Sequence, residues 1–213
     1  KSEGYMKNIL KVASMALVLS LTLFGITNKA SAAKLTLYCS VEIDVCEMLE
    51  QAYEKETGTK VAMTRASSGE TFAKIKAEAS NPKGDVWFGG TGDPHLTAAQ
   101  ENLTEKYKSV HFNDLLPAAQ NQAKNADFKS VGIYVGALGF GYNKDLLAKK
   151  GLPAPKSWMD LTKPIYKGEI QVANPNSSGT AYTTLATILQ IFGEDKGWDY
   201  MKKLHANINT YTK

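Results

Sequence analysis

Arginine is nearly absent: Arg65 is the only one among 25 basic residues. The net charge of +4 forms no basic stripe either, because Lys1, Lys7, Lys11 and Lys29 against Glu3 hold three of the four positive charges within the first 32 residues. About one unit is left for the rest, which excludes the footprint of a nucleic-acid binder. Cysteine is scarce, and two residues cannot scaffold a chain of 213, which is long enough to bury a core without disulfides or metals. Histidine is scarce and scattered, at His95, His111 and His205, with no G-x-S-x-G elbow and no nucleophile, base and acid in recognisable relation. No enzyme is expected. Neither H-x-x-H spacing nor a carboxylate cluster occurs, so no metal cofactor is expected. Apart from Val12 to Ile26, no stretch approaches the roughly 20 apolar residues needed to span a bilayer, which excludes a polytopic membrane protein. With 43% hydrophobic and 22% charged residues, the composition excludes a collagen or a disordered tail.

What is present begins with an export signal. Met6, the expected true start, Lys7 and Lys11 precede the apolar run, and Ala30-Ser31-Ala32 follows it: a basic region, a hydrophobic region and a small-residue cleavage site. Residues 1–32 are expected to be a signal peptide, with no cysteine at the cleavage point to take a lipid. A freely diffusing exported protein suits a periplasm. In that oxidising compartment Cys39 and Cys46 have two main readings, a disulfide or a pair of buried thiols, because C-x6-C is neither a redox nor a zinc spacing.

After the signal, strand and helix patterns alternate. Lys34 to Cys39 and Val61 to Thr64 read as strands, Asp44 to Thr57 and Ser68 to Ala79 as helices, and Asp85 to Phe88 as a buried strand closed by Gly89-Gly90-Thr91-Gly92. That order predicts an open, mostly parallel α/β sheet, with ligands at the carboxyl ends of its strands. Helices are further expected over Pro94 to Glu101, Asn113 to Asn125 and Lys144 to Lys150. Between the last two, Val131 to Tyr142 reads as two short glycine-rich strands crossing between lobes. A short helix at Ser157 to Leu161, a strand at Glu169 to Ala173, and helices at Gly179 to Phe192 and Gly197 to His205 follow. The expected division is a first lobe over 33–130, crossover strands over 131–142 and part of a second lobe over 143–213.

Hydroxyl and glycine residues recur where strands give way to helices: Ser67-Ser68-Gly69, Gly90-Thr91-Gly92 and Ser177-Ser178-Gly179-Thr180. Backbone N–H groups at a helix start, supplemented by hydroxyls and unobstructed at glycine, form a neutral anion site. The competing reading is ordinary capping, and Ser67 with Glu70 three residues on is a capping box. Asp44 and Glu70 read first as caps; Asp93 either caps its helix or accepts hydrogen bonds from a sugar hydroxyl or an amine. Tyr142, Tyr182 and Tyr211 suit packing or rim positions, although phenolate oxygen also suits ferric iron, a hard ion.

These residues resemble the extracellular solute-binding proteins of bacterial ABC importers, in the subgroup of ferric-iron, hexose-phosphate and aminoethylphosphonate binders. The likeness rests on Leu37-Tyr38-Cys39-Ser40, Ser67 to Glu70, the run from Gly84 to His95, Gly141-Tyr142-Asn143, Ser157 to Leu161 and Asn174 to Tyr182. It implies a periplasmic-binding-protein type II fold of two doubly wound lobes joined by crossing hinge strands, the second lobe incomplete without a segment beyond Lys213. It also implies a monomer that closes on a small anionic ligand and docks on a permease driven by a cytoplasmic ATPase. Ferric iron is the alternative ligand, but the first loop, Cys39-Ser40-Val41-Glu42, has no histidine, and Thr91 and Asp93 stand where ferric binders tend to carry a glutamate. The expected ligand contacts are Ser40, Ser67, Ser68, Gly69, Thr91 and Ser177, Ser178, Gly179 and Thr180 to a phosphoryl group, with Asp93 and Tyr142 near the organic part.

Overall fold

A computed structural model describes residues 34–212; the expected signal peptide lies outside the described residues. From Leu35 onward the described residues form one compact unit. Strand β1 (Lys34–Cys39) leads into helix α1 (Ile43–Thr57), β2 (Lys60–Arg65), α2 (Ser68–Ala77), β3 (Val86–Phe88) and α3 (Gly92–Gln100). The three strands form one sheet in the order β2-β1-β3, with β1 parallel to β3 from Leu37 opposite Val86 to Cys39 opposite Phe88.

Alternation along β1 sorts its two faces. Leu37 and Cys39 enter a core with Cys46 of α1, against which Leu35, Val61, Met63 and Phe88 pack. Tyr38 faces the other way, buried all the same, and its hydroxyl donates to Glu78 Oε2 at 2.7 Å. Cys39 and Cys46 are joined in a disulfide, which resolves the two readings and ties the end of β1 to the first turns of α1. Helix α1 ends at Gly58, whose φ of 70° is left-handed and lets its N–H return to the Glu54 carbonyl at 2.9 Å.

A helix expected over Asn113 to Asn125 is instead a 3-10 turn at Phe112–Asp114 followed by α4 (Pro117–Asn125). Pro117 is the cause: the residue before a proline is pushed out of the helical region, and Leu116 has ψ 147°. Residues 131–142, expected as two strands, join no ladder among the described residues, and strand structure requires a hydrogen-bonded neighbour.

The second sheet pairs β4 (Ile170–Ala173) with β5 (Ile208–Thr212) in parallel, the register shifting between Ile170 and Gln171. Helices α5 (Lys144–Lys150), α6 (Gly179–Phe192) and α7 (Glu194–Asn207) complete this half. Helix α7 starts three residues earlier than the expected Gly197. That glycine lies within the helix because α6 passes close by: a Cβ there would stand 2.7 Å from the Leu189 side chain and 2.9 Å from its Cα. Ile188, Tyr200 and Leu204 form the core. The Tyr200 hydroxyl donates to the Trp158 carbonyl at 2.7 Å, and burial pushes its pKa up to about 12.

The expected helix at Ser157 to Leu161 is a 3-10 turn, Trp158–Thr162, held by Asp160. The Lys163 ammonium, then the Lys156 and Ser157 amides, lower the Asp160 carboxyl to about 2. Because its value is depressed in the fold, its stabilising contribution is present above the ordinary carboxylate range and is lost as pH falls toward 2.

The disulfide closes a short loop, its cysteines seven positions apart in the chain. Replacing both by alanine is expected to lower unfolding free energy by about 2–3 kcal/mol, measured by urea denaturation.

Candidate functional site

Helices α2, α3 and α6 each begin just beyond the end of a strand, at β2, β3 and β4 respectively. An isolated helix start leaves N–H groups without intrahelical partners and carries a partial positive charge. Here the three starts lie against one another. The two Ser-Ser-Gly segments, 110 positions apart, meet directly: the Ser177 carbonyl accepts from Ser67 Oγ at 2.8 Å and from the Gly69 N–H at 2.9 Å. A Cβ on Gly69 would fall 2.7 Å from the Ser177 oxygen and 2.9 Å from that of Asn176, so the approach requires glycine.

Ser68 is buried beneath this contact, and its Oγ accepts from the Thr91 N–H at 3.3 Å. Gly179 is also buried, and the place where its Cβ would stand is taken by Thr91 Oγ1 and Ser68 Oγ. The Thr91 hydroxyl is itself buried with no hydrogen-bond partner among the described residues, a costly condition for a polar group. Ser178 caps α6, its Oγ accepting from the Ala181 N–H at 3.3 Å.

Ser40 is buried behind the three starts. Its Oγ accepts from Trp87 Nε1 at 3.0 Å and lies 3.1 Å from Thr71 Oγ1. Trp87 stacks on His95 at 3.6 Å between ring centroids, and His95 Nε2 donates to the Gly89 carbonyl at 2.8 Å. Burial pushes the His95 pKa down, the bond to Gly89 opposing it. Trp87 and His95 therefore brace the turn beneath the site. Nothing in their spacing signals this, since the stack forms only when α3 folds back over β3.

On the open side, Asp93, Ser177, Ser178 and Tyr182 line a cleft of about 200 Å³. Of the expected contacts, Gly69, Asp93, Ser177, Ser178 and Gly179 line it, whereas Ser40, Ser67, Ser68 and Thr91 lie outside its lining, as do the exposed Tyr142 and Thr180. Arg65 is occupied elsewhere, its Nε donating to the Val41 carbonyl at 2.9 Å. No lysine or arginine lines the cleft, and no group of three His, Cys, Asp or Glu side chains is placed to hold a metal ion among the described residues. The chemistry available is neutral hydrogen-bond donation from helix starts, with one carboxylate at the rim.

Residues 85–213 match the sequence model of the bacterial extracellular solute-binding proteins. The chain belongs to this family. An uncharacterized protein of Haemophilus influenzae is 43% identical over 96% of the chain and 59% of its own length. The periplasmic binding protein AfuA of Actinobacillus pleuropneumoniae, solved with exogenous fructose 6-phosphate bound, is 46% identical. It superposes with a TM-score of 0.82 over 86% of the chain and 58% of AfuA. Iron-bound HitA of Pseudomonas aeruginosa, at 22% identity and a TM-score of 0.64, covers 85% of the chain and 56% of HitA and shares the fold alone. The chain thus spans under two thirds of each of these proteins. Proteins of this family are periplasmic or extracellular binding components of ABC importers, a role that involves no catalysis.

The Gly69 contact is directly testable. Gly69→Ala is expected to force the Ser177 backbone away and lower unfolding free energy by about 1–3 kcal/mol. Ser67→Ala, which removes one hydroxyl and no space, is expected to cost only about 1 kcal/mol, both read by thermal unfolding.

Proposed function

We propose that this chain is the solute-capturing part of an ABC importer for a small phosphorylated metabolite, a sugar phosphate or a phosphonate, delivered in the periplasm to a membrane permease powered by a cytoplasmic ATPase. On this reading the fold is of periplasmic-binding-protein type II, and the two sheets belong to lobes that close on the solute. The observation that carries it is the meeting of three helix starts around Ser68, Thr91 and Gly179, with a buried Thr91 hydroxyl that has no partner among the described residues. A phosphoryl oxygen is the acceptor such a hydroxyl lacks, and helix starts favour its negative charge without a fixed cation.

In this assignment Ser68, Thr91, Ser178 and Gly179 face the phosphoryl group. Ser67 and Gly69 contribute through their hold on the Ser177 carbonyl, and Ser40 supports the site from behind through Thr71 and Trp87. Asp93 and Tyr182, at the rim, are suited to hydroxyl or amino groups of the organic part. Ser68 and the Thr91 hydroxyl, buried behind the cleft, and Tyr142 and Thr180, outside it, reach the solute on this reading only as the segments around the cleft shift on binding.

The AfuA likeness makes fructose 6-phosphate the first compound to try. A thermal-shift panel of hexose phosphates, aminoethylphosphonate, inorganic phosphate and ferric citrate on the full-length protein is expected to respond to phosphorylated compounds alone. At a hundred times its dissociation constant a ligand adds about 2.7 kcal/mol. A shift with ferric citrate alone overturns the reading. Thr91→Val supplies a sharper signature: it removes a buried hydroxyl without a partner, so the unliganded protein is expected to be no less stable. Affinity for the phosphorylated ligand is nevertheless expected to fall by about 1.5–3 kcal/mol in titration calorimetry, the value of a hydrogen bond to a charged group.

A further inference from the structure

The crossover over residues 131–142 joins no ladder among the described residues, yet one of its side chains reaches the site. The Tyr134 hydroxyl accepts from the Gly90 N–H at 2.8 Å and donates to the Gly90 carbonyl at 2.8 Å. One phenol thus satisfies both backbone polar groups of a residue 44 positions earlier in the chain. The residue is 56% exposed, so apolar burial does little to hold it there.

Gly90 is a consequential residue to hold. Its φ is +91°, and the place a Cβ would take is filled by Ser68 Oγ, with Ser40 Cβ at 3.1 Å. Its carbonyl belongs to the peptide whose N–H is that of Thr91, the group that donates to Ser68 Oγ. The orientation of that peptide therefore sets both the Ser68 hydroxyl and the start of α3. Gly89, with φ +78°, is pinned on its other side by His95, so the turn is held from the helix and from the crossover at once.

We propose that Tyr134 is a positioning residue for solute binding: from the crossover, it fixes the Gly89-Gly90-Thr91 turn and so links the setting of the segment between the lobes to the geometry of the anion site. The proposal rests on the solute reading above for what the turn binds, and on the two hydrogen bonds alone for what holds the turn. Tyr134→Phe deletes both bonds and keeps the ring. Because the residue is largely exposed, the variant is expected to fold and to unfold at nearly the wild-type temperature.

Two measurements on the full-length protein decide the matter. In amide hydrogen exchange, Tyr134→Phe is expected to speed exchange at Gly90 about tenfold, with no change in the β1 and β3 core. In titration calorimetry with fructose 6-phosphate, the variant is expected to bind about tenfold more weakly. Combined with Thr91→Val, it should lose less than the product of the two separate effects, since both act through one turn. Unchanged exchange at Gly90 overturns the proposal whatever the ligand. Faster exchange with unchanged affinity, or with fully additive losses, overturns the link to binding. If wild type binds neither fructose 6-phosphate nor any other phosphorylated compound of the panel, the solute reading fails, and exchange at Gly90 alone decides whether Tyr134 holds the turn.

Discussion

Helix starts need acceptors, and in this protein that requirement organises the structure. Three helices begin at the carboxyl ends of strands from two different sheets, each with N–H groups that its own turns cannot satisfy. Part of the demand is met within the chain: Glu70 reaches back to Ser67, Ser178 caps α6, and the Ser177 carbonyl serves the Ser67 hydroxyl and the Gly69 N–H together. Part is left over at Thr91, whose buried hydroxyl has no hydrogen-bond partner among the described residues. That one unspent donor, beside helix starts that favour negative charge, is what the proposed anion would meet, and no cationic side chain lines the cleft.

The two hydrophobic cores serve this arrangement from behind. One, built on Leu37, Cys39 and Cys46, is stapled by the disulfide and so fixes where β1 ends, which places Ser40. The other, built on Ile188, Tyr200 and Leu204, sets α6 against α7 and so aims the start of α6. Between them the Trp87 and His95 stack braces the glycine turn that Tyr134 holds from the opposite side. Burial accounts for the depressed His95 pKa, and a neutral ring suits its place near the start of α3, where a cation would oppose the helix dipole.

The chain's periodicity made much of this legible. β1, α1, β2 and α6 fall within a residue of where alternation and helical spacing put them, and the capping box at Ser67 and the glycine stop at Gly58 are local chemistry that works the same way in any fold. The misreadings have one local cause and two nonlocal ones. Pro117 broke a helix that apolar spacing favoured, and β5 was not anticipated because Ile208 to Thr212 shows its strand character only beside β4. Residues 131–142 have the composition of strands and no partner among the described residues to make them so.

For the candidate site, the residue types were readable and the pairings were not. Serine, threonine and glycine after strands announce helix starts that can hold an anion, because hydroxyl chemistry and the missing glycine side chain are properties of the residues themselves. Nothing in the order of residues says that Ser67 and Gly69 spend their donors on Ser177, that Thr91 is left without an acceptor, or that Tyr134 closes on Gly90. The sequence by itself determined the α/β alternation, the family and the neutral, hydroxyl-rich character of the site, since these follow from local spacing and side-chain type. Only the tertiary structure decided which donors are spent and which remain, because a hydrogen bond between residues 110 positions apart exists only once packing has brought them within 3 Å.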